Sequence, residues 1–161
     1  GKDELILVTK KGQAIRFPER DVRPMGRTAA GVTALRLKKD DEIVGMDVIP
    51  ETGGRKPEAG DAEHLLIVME HGFGKQTSLK QYKRQKRGGS GIKTAKVTPK
   101  TGVLVSSRIV NSEGEELIAI SQKGQVIRTP LGAIPKLGRA TQGVRIMRMD
   151  AGDAVASVTT L

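Results

Sequence analysis

One pattern occurs three times in this chain, and it limits the fold more than any other feature. A short apolar run begins seven residues before a turn glycine: Leu5-Ile6-Leu7-Val8 before Gly12, Leu65-Leu66-Ile67-Val68 before Gly72, and Leu117-Ile118-Ala119-Ile120 before Gly124. A second glycine follows the first by 19 residues in every copy, at Gly31, Gly91 and Gly143. The copies close on apolar strands at Ile49, Ile109-Val110 and Leu161. They repeat after 60 and then 52 residues. A period of this size, with short β-branched runs and glycine punctuation, belongs to repeat architectures.

In the first copy, Leu5–Val8 reads as a strand buried on both faces and Lys10–Gln13 as a hairpin turn with Gly12 at positive φ. Ala14–Phe17 is the return strand, stopped by Pro18. After a polar loop, Val32–Leu37 reads as a third strand and Glu42–Ile49 as a fourth. No stretch keeps a helical period. The expected fold is therefore all-β, a β-pinwheel or propeller-like array of three four-stranded blades. The blades are placed at residues 3–50, 63–111 and 115–161. A Gly/Pro/charged linker at 51–62 takes up the extra eight residues. Blades bury their faces only by stacking. Three of them leave two raw ends, so a larger ring or self-association is expected. The chain opens at Gly1 rather than Met, which reads as a segment cut from a longer protein.

Charge is concentrated in one place. Between His71 and Ser112 there is no Asp or Glu, but there are ten cations: Lys75, Lys80, Lys83, Arg84, Lys86, Arg87, Lys93, Lys96, Lys100 and Arg108. The whole chain has 28 basic and 18 acidic residues, so the rest is balanced at 18 against 18. Such a segment is the footprint of a polyanion. Only Phe17, Phe73 and Tyr82 are aromatic, too few for a base-stacking platform. Duplex nucleic acid is the better match.

Registering the copies on the second glycine separates core from surface. One, four and six residues after it stand Val32/Ile92/Val144, Leu35/Ala95/Met147 and Leu37/Val97/Met149, which read as core. Five after it stand the cations Arg36, Lys96 and Arg148, on the opposite face of a two-residue period. Four before it stand Arg27, Arg87 and Arg139. Stacked blades would line these cations up along one rim. The loop glycines Gly88, Gly89 and Gly91 either admit a phosphate close to the backbone or serve a tight turn.

The string Gln85-Lys86-Arg87-Gly88-Gly89-Ser90-Gly91 resembles the basic, glycine-rich box of the C-terminal domain of DNA gyrase A. Ser90 stands where that family has a second basic residue. His71-Gly72-Phe73-Gly74-Lys75, Val22-Arg23-Pro24-Met25-Gly26-Arg27-Thr28 and Gly138-Arg139-Ala140-Thr141-Gln142-Gly143-Val144-Arg145 resemble its flanking and degenerate motifs. The resemblance implies pinwheel blades that wrap duplex DNA with positive handedness, without reading sequence, in a bacterial type II topoisomerase that introduces negative supercoils. The expected DNA-binding residues are Arg27, Arg36, Lys83, Arg84, Gln85, Lys86, Arg87, Gly88, Gly89, Gly91, Lys93, Lys96, Arg139, Arg145 and Arg148. The implied partners are duplex DNA, the remainder of gyrase A, and gyrase B. The implied location is the cytoplasm, with the nucleoid. No cofactor is expected here; ATP and Mg belong to gyrase B. The alternatives are the corresponding domain of topoisomerase IV and a protein-interaction propeller, with RNA as another polyanion.

Nothing in the sequence reads as a catalytic centre or a metal site. His64 and His71 have no paired carboxylate and read as surface residues. Tyr82 occupies the slot of Val22 and Ile134 and reads as packing. Gly88–Gly91 lacks the ending of a nucleotide-binding loop. Asp40-Asp41-Glu42 reads as a solvated turn, and cysteine is absent.

Overall fold

The computed structural model describes residues 1–51, 63–111 and 115–161. The linker expected at 51–62 thus lies almost wholly outside the described residues. The strands are β1 (Glu4–Thr9), β2 (Gln13–Pro18), β3 (Ile43–Ile49), β4 (Glu63–Met69), β5 (Phe73–Ser78), β6 (Ile92–Lys93), β7 (Leu104–Asn111), β8 (Glu116–Ser121), β9 (Val126–Pro130), β10 (Val144–Arg145) and β11 (Val155–Thr160). The helical elements among them are three single 3-10 turns, at Glu19–Asp21, Leu79–Gln81 and Leu131–Ala133. They occupy equivalent places after the second strand of each repeat.

The strands form three antiparallel sheets, in the orders β3-β1-β2-β6, β10-β5-β4-β7 and β11-β8-β9. The fourth strand of each full sheet comes from the next repeat. Ile92 and Lys93 of β6 pair with Ala14 and Gln13 of β2, and Val144 and Arg145 of β10 pair with Gly74 and Phe73 of β5. This differs from the expectation of a third strand within each repeat. Val32–Leu37 is not a strand among the described residues. Its equivalents Ile92–Lys93 and Val144–Arg145 reach across to the preceding blade. The third sheet has three strands among the described residues.

The glycines make this crossing practicable. Gly91 and Gly143 have φ of +72° and +80°. A Cβ on either would lie 2.6 Å from a carbonyl oxygen of the preceding blade, that of Ala14 or Gly74. Close backbone approach at a left-handed residue leaves no room for a side chain. Gly12 and Gly72 meet the incoming segment from the other side. Their carbonyls accept from Thr94 N–H (2.8 Å) and Ile146 N–H (2.8 Å).

The core lies between blades. Alternate residues of a strand face opposite ways. In β4, Leu65 and Ile67 pack toward the first blade with Ile6, Val8, Ala14, Tyr82 and Ala95. Leu66 and Val68 pack toward the third blade with Leu117, Ala119, Leu131, Ile134 and Met147. That is why the run is apolar without alternation. Leu7, Ile15, Phe17 and Leu35 form a smaller cluster on the outer side of the first blade. Of the positions read as core, the fourth after the second glycine is buried in all three repeats. The first and sixth are not: Val144 is 40% and Leu37 44% exposed, because the crossing segment leaves them at an edge.

Three surface expectations are corrected by these contacts. His64 is buried in β4. Asp41 is also buried, where its Oδ1 accepts from the N–H groups of Lys11 and Glu42, both at 2.9 Å. It closes the first hairpin. Asp153 makes the equivalent closure by accepting from Lys123 N–H at 3.1 Å. The third correction, Lys75, belongs to the site itself.

Candidate nucleic-acid interface

The basic residues gather at the junctions between blades, and the two junctions repeat the same geometry. The strand position four after the turn glycine reaches across first. Arg16 donates to the carbonyls of Leu79 (3.0 Å) and Tyr82 (3.3 Å), and Gln76 donates to those of Leu131 (2.6 Å) and Ile134 (3.1 Å). These bonds tie one blade to the 3-10 turn of the next. The chain then runs directly into the glycine-rich loop, and the N–H of Gln85 is held by the Arg16 carbonyl at 2.7 Å.

The loop arginines are the second tie. Arg87 donates to the carbonyls of Thr33 (2.5 Å) and Asp21 (3.0 Å). Arg139 donates to the carbonyl of Lys93 at 2.8 Å. Thr33 and Lys93 are equivalent residues, two after the second glycine. The arginine that recurs in every repeat therefore has a structural reason to recur: a rigid fork of donors suits backbone carbonyls of the neighbouring blade. Both guanidinium groups stay partly exposed. Arg27 is exposed and has no hydrogen bond or ion pair among the described residues.

The strand cations meet the loops at the same junctions. Arg36 N–H donates to the Gly89 carbonyl at 2.8 Å, and Lys96 N–H donates to the Thr141 carbonyl at 3.0 Å. Gly88 N–H is spent on the Ala34 carbonyl at 2.8 Å. Thus Arg36 lies with Lys86 and Arg87 at the first junction, and Lys96 with Lys93 and Arg139 at the second. Each junction joins a cation from one repeat to an arginine loop from the next. Arg148, the third strand cation, is exposed. Arg145 lies over the Phe73 ring, 5.5 Å from its centroid, with Lys100 at 5.8 Å. These residues and Arg148 line one open groove.

Two of the basic residues do other work. Arg84 is ion-paired with Glu4, a carboxylate 5% exposed that is also paired with Arg16. It is the one candidate site residue in an ion pair among the described residues. Lys75 was counted in the acid-free cationic segment, yet it is fully buried. Its ammonium donates to the carbonyls of Gly138 (2.7 Å) and Arg139 (2.9 Å) and to the Thr141 hydroxyl (3.1 Å). Burial, with the positive charge of Arg139 beside it, lowers its pKa to about 8. Lys75 carries the loop of the third repeat from beneath. Sequence reasoning missed this role, although Ile15 and Ile127 at the equivalent positions mark the site as one that faces inward.

Lys83, Lys86, Lys93 and Lys96 are exposed, as are Arg36, Arg145 and Arg148. Tyr82 is buried, shares a hydrogen bond of 2.5 Å with the Thr94 hydroxyl, and belongs to the core, as its slot in the repeat indicated. Burial raises its pKa, away from the phenolate a nucleophile needs. No group of three or more His, Cys, Asp or Glu suited to a metal ion occurs among the described residues.

The family model described as DNA gyrase C-terminal domain, beta-propeller, matches residues 3–50, 63–111 and 115–161. The DNA gyrase A protein of Aminobacterium colombiense is 40% identical over 161 residues, covering 100% of this chain and 18% of that protein. The DNA gyrase A protein of Staphylococcus aureus strain MRSA252 is 38% identical over 158 residues, covering 98% of this chain and 17% of that protein. The chain thus spans less than a fifth of the length of these curated relatives. A solved DNA gyrase A C-terminal domain superposes with a TM-score of 0.84 at 28% identity, covering 99% of this chain and 50% of that one. The C-terminal domain of a DNA topoisomerase IV shares the fold, with a TM-score of 0.87 at 22% identity, covering 100% of this chain and 47% of that one.

Proposed function

The chain belongs to the DNA gyrase C-terminal domain family, and from that premise we propose that it binds duplex DNA without sequence preference and bends it along its blade junctions. The observation that carries this reading is the repetition of one cationic arrangement at two successive junctions. A single basic patch attracts a polyanion; equivalent patches at successive turns of a stacked array offer a track. The residues proposed to face phosphates are Arg36, Lys83, Lys86, Lys93, Lys96, Arg145 and Arg148, which are exposed and outside ion pairs among the described residues. Arg87 and Arg139 contribute the outward part of their guanidinium groups while holding the blades together. Arg84, Gln85, Gly88, Gly89 and Gly91 place the loop rather than grip the ligand. Arg27 joins the track where a further blade lies beside it.

Bending a short duplex through tens of degrees costs on the order of 1–6 kcal/mol. Charge neutralisation along the track offsets that cost, as it does for other proteins that bend DNA through backbone contacts alone. The chemistry of strand cleavage, the ATP and Mg, and gyrase B lie outside this chain in the same reading; the chain is non-catalytic by itself and acts on DNA with the nucleoid. No helix among the described residues is long and apolar enough to cross a membrane.

The test is a duplex-binding titration across salt. Neutralising roughly six phosphates gives a slope of log affinity against log salt near −5, with a dissociation constant of about 10⁻⁴ to 10⁻⁶ M at physiological salt. A slope near zero contradicts the proposal. Competition with single-stranded DNA and duplex RNA checks that the ligand is duplex DNA.

A further inference from the structure

The two junctions carry matching cations on different floors. At the first, the loop of Gly88, Gly89 and Gly91 rests on an apolar side chain: a Cβ on Gly89 would lie 3.7 Å from Ile15 Cδ1. Arg87 and the N–H of Gly88 hold that loop to the blade before it. At the second junction the loop is Gly138-Arg139-Ala140-Thr141, with Ala140 and Thr141 standing where the first has Gly88 and Gly89. The bond made by Gly88 N–H has no counterpart at Ala140 among the described residues.

Lys75 takes the place of Ile15 and supplies the hold in another way. An ammonium has three donors, and all three go to this loop: to the carbonyls of Gly138 and Arg139 and to the Thr141 hydroxyl. The side chain is fully buried, and the neighbouring charge that acts on it is that of Arg139, which repels it. Burying a cation in this way is costly, and the isoleucines at positions 15 and 127 avoid that cost. What the cost secures is the path of bonds that runs on from the loop. The Thr141 carbonyl accepts from Lys96 N–H at 3.0 Å, and the Arg139 guanidinium donates to the Lys93 carbonyl at 2.8 Å. Between those two lysines Thr94 and Ala95 are buried, while both lysines are exposed.

We infer that Lys75 is the positioning residue of the second junction: its ammonium holds the 138–141 loop, and through that loop sets Lys96 and Arg139 where they meet the phosphates of a duplex. A glycine-rich loop does this at the first junction and a buried lysine does it at the second. The two junctions therefore bind alike and fail separately. The inference rests on the duplex-binding reading given above.

Lys75→Ile places at this position the side chain found at its two equivalents. Duplex binding is titrated across salt, at neutral pH and well below each protein's melting transition, in the unmodified chain and in Lys75→Ile. Lys96→Ala and Arg36→Ala are then added to each. Lys96→Ala lowers the salt slope by about 1 in the unmodified chain and by nothing further in Lys75→Ile, whereas Arg36→Ala lowers it by about 1 in both. A loss of stability alone would move both junctions together. Amide exchange reads the same effect without DNA: Lys96 N–H exchanges faster in Lys75→Ile, and Arg36 N–H keeps its rate. Equal Lys96 increments in the two backgrounds, or an unchanged exchange rate at Lys96, overturn the inference and leave the duplex reading standing. A flat salt titration of the unmodified chain overturns the duplex reading and the inference with it. If Lys75→Ile does not fold, Thr141→Val removes one acceptor and keeps the lysine; it shrinks the Lys96 increment alone, and an undiminished increment overturns the inference.

Discussion

At the scale of single residues, the basic side chains divide by what they touch. Lys86 is exposed and projects from a loop that other groups hold. Arg87, its neighbour, holds that loop to Asp21 and Thr33 of the blade before it. Replacing each by alanine separates the two roles. Lys86→Ala lowers the salt slope of duplex binding by about 1 and leaves the melting temperature unchanged. Arg87→Ala lowers affinity for every duplex sequence alike and also destabilises the fold, by about 1–3 kcal/mol for two charge-assisted bonds at a partly exposed site. Denaturant unfolding beside a binding titration reads both; a loss confined to one sequence contradicts the assignment. Lys75 gives a pH signature. Its pKa is about 8 in the fold and ordinarily 10.5, so between those values the unfolded chain binds the extra proton. Stability therefore rises as pH climbs from 8 to 10.5, by on the order of 3 kcal/mol from this group alone. Lys75→Met removes that increment, measured as the difference between the two proteins' unfolding midpoints across this range. A parallel pH dependence in both proteins contradicts the buried-cation account.

At the scale of strands, the crossing segments decide which blade a residue serves. Gly91→Ala and Gly143→Ala place a methyl 2.6 Å from a carbonyl of the preceding blade, whereas Gly31→Ala meets nothing. All three carry a left-handed φ, worth about 1–2 kcal/mol against alanine. The first two should cost at least twice as much as the third in equilibrium unfolding, and equal costs would mean that the segments do not press on the neighbouring sheet. This is also where reading the sequence succeeded and where it stopped. The three hairpins were legible because two apolar faces of a strand leave an unbroken run, as in Leu65–Val68. The third strand was placed in the wrong sheet because a two-residue pairing such as Ile92–Lys93 leaves no periodic trace. Its partner, Gln13–Ala14, belongs to another repeat, and nothing local marks the exchange. The recurring arginine was seen as a binding residue because charge is visible in a sequence and a backbone carbonyl from another repeat is not. Lys75 was counted as surface charge on the same ground, although the isoleucines at its equivalent positions point inward.

At the scale of the whole molecule, the same ties that stack the blades space the cations. A position four after the turn glycine binds the next 3-10 turn, that turn leads into a loop, and the loop brings an arginine against the cation of the blade before. Structure and charge thus share one period. The central claim is that duplex DNA bends along the blade junctions. It is tested most directly by binding the chain to nicked circular DNA, sealing the nick, and measuring the linking number after the protein is removed. The account predicts a shift of a single sign, positive by family resemblance, that grows with bound protein and shrinks when Arg36, Lys86 and Lys96 are replaced by alanine. Circles sealed under saturating protein with the linking number of free DNA would contradict it.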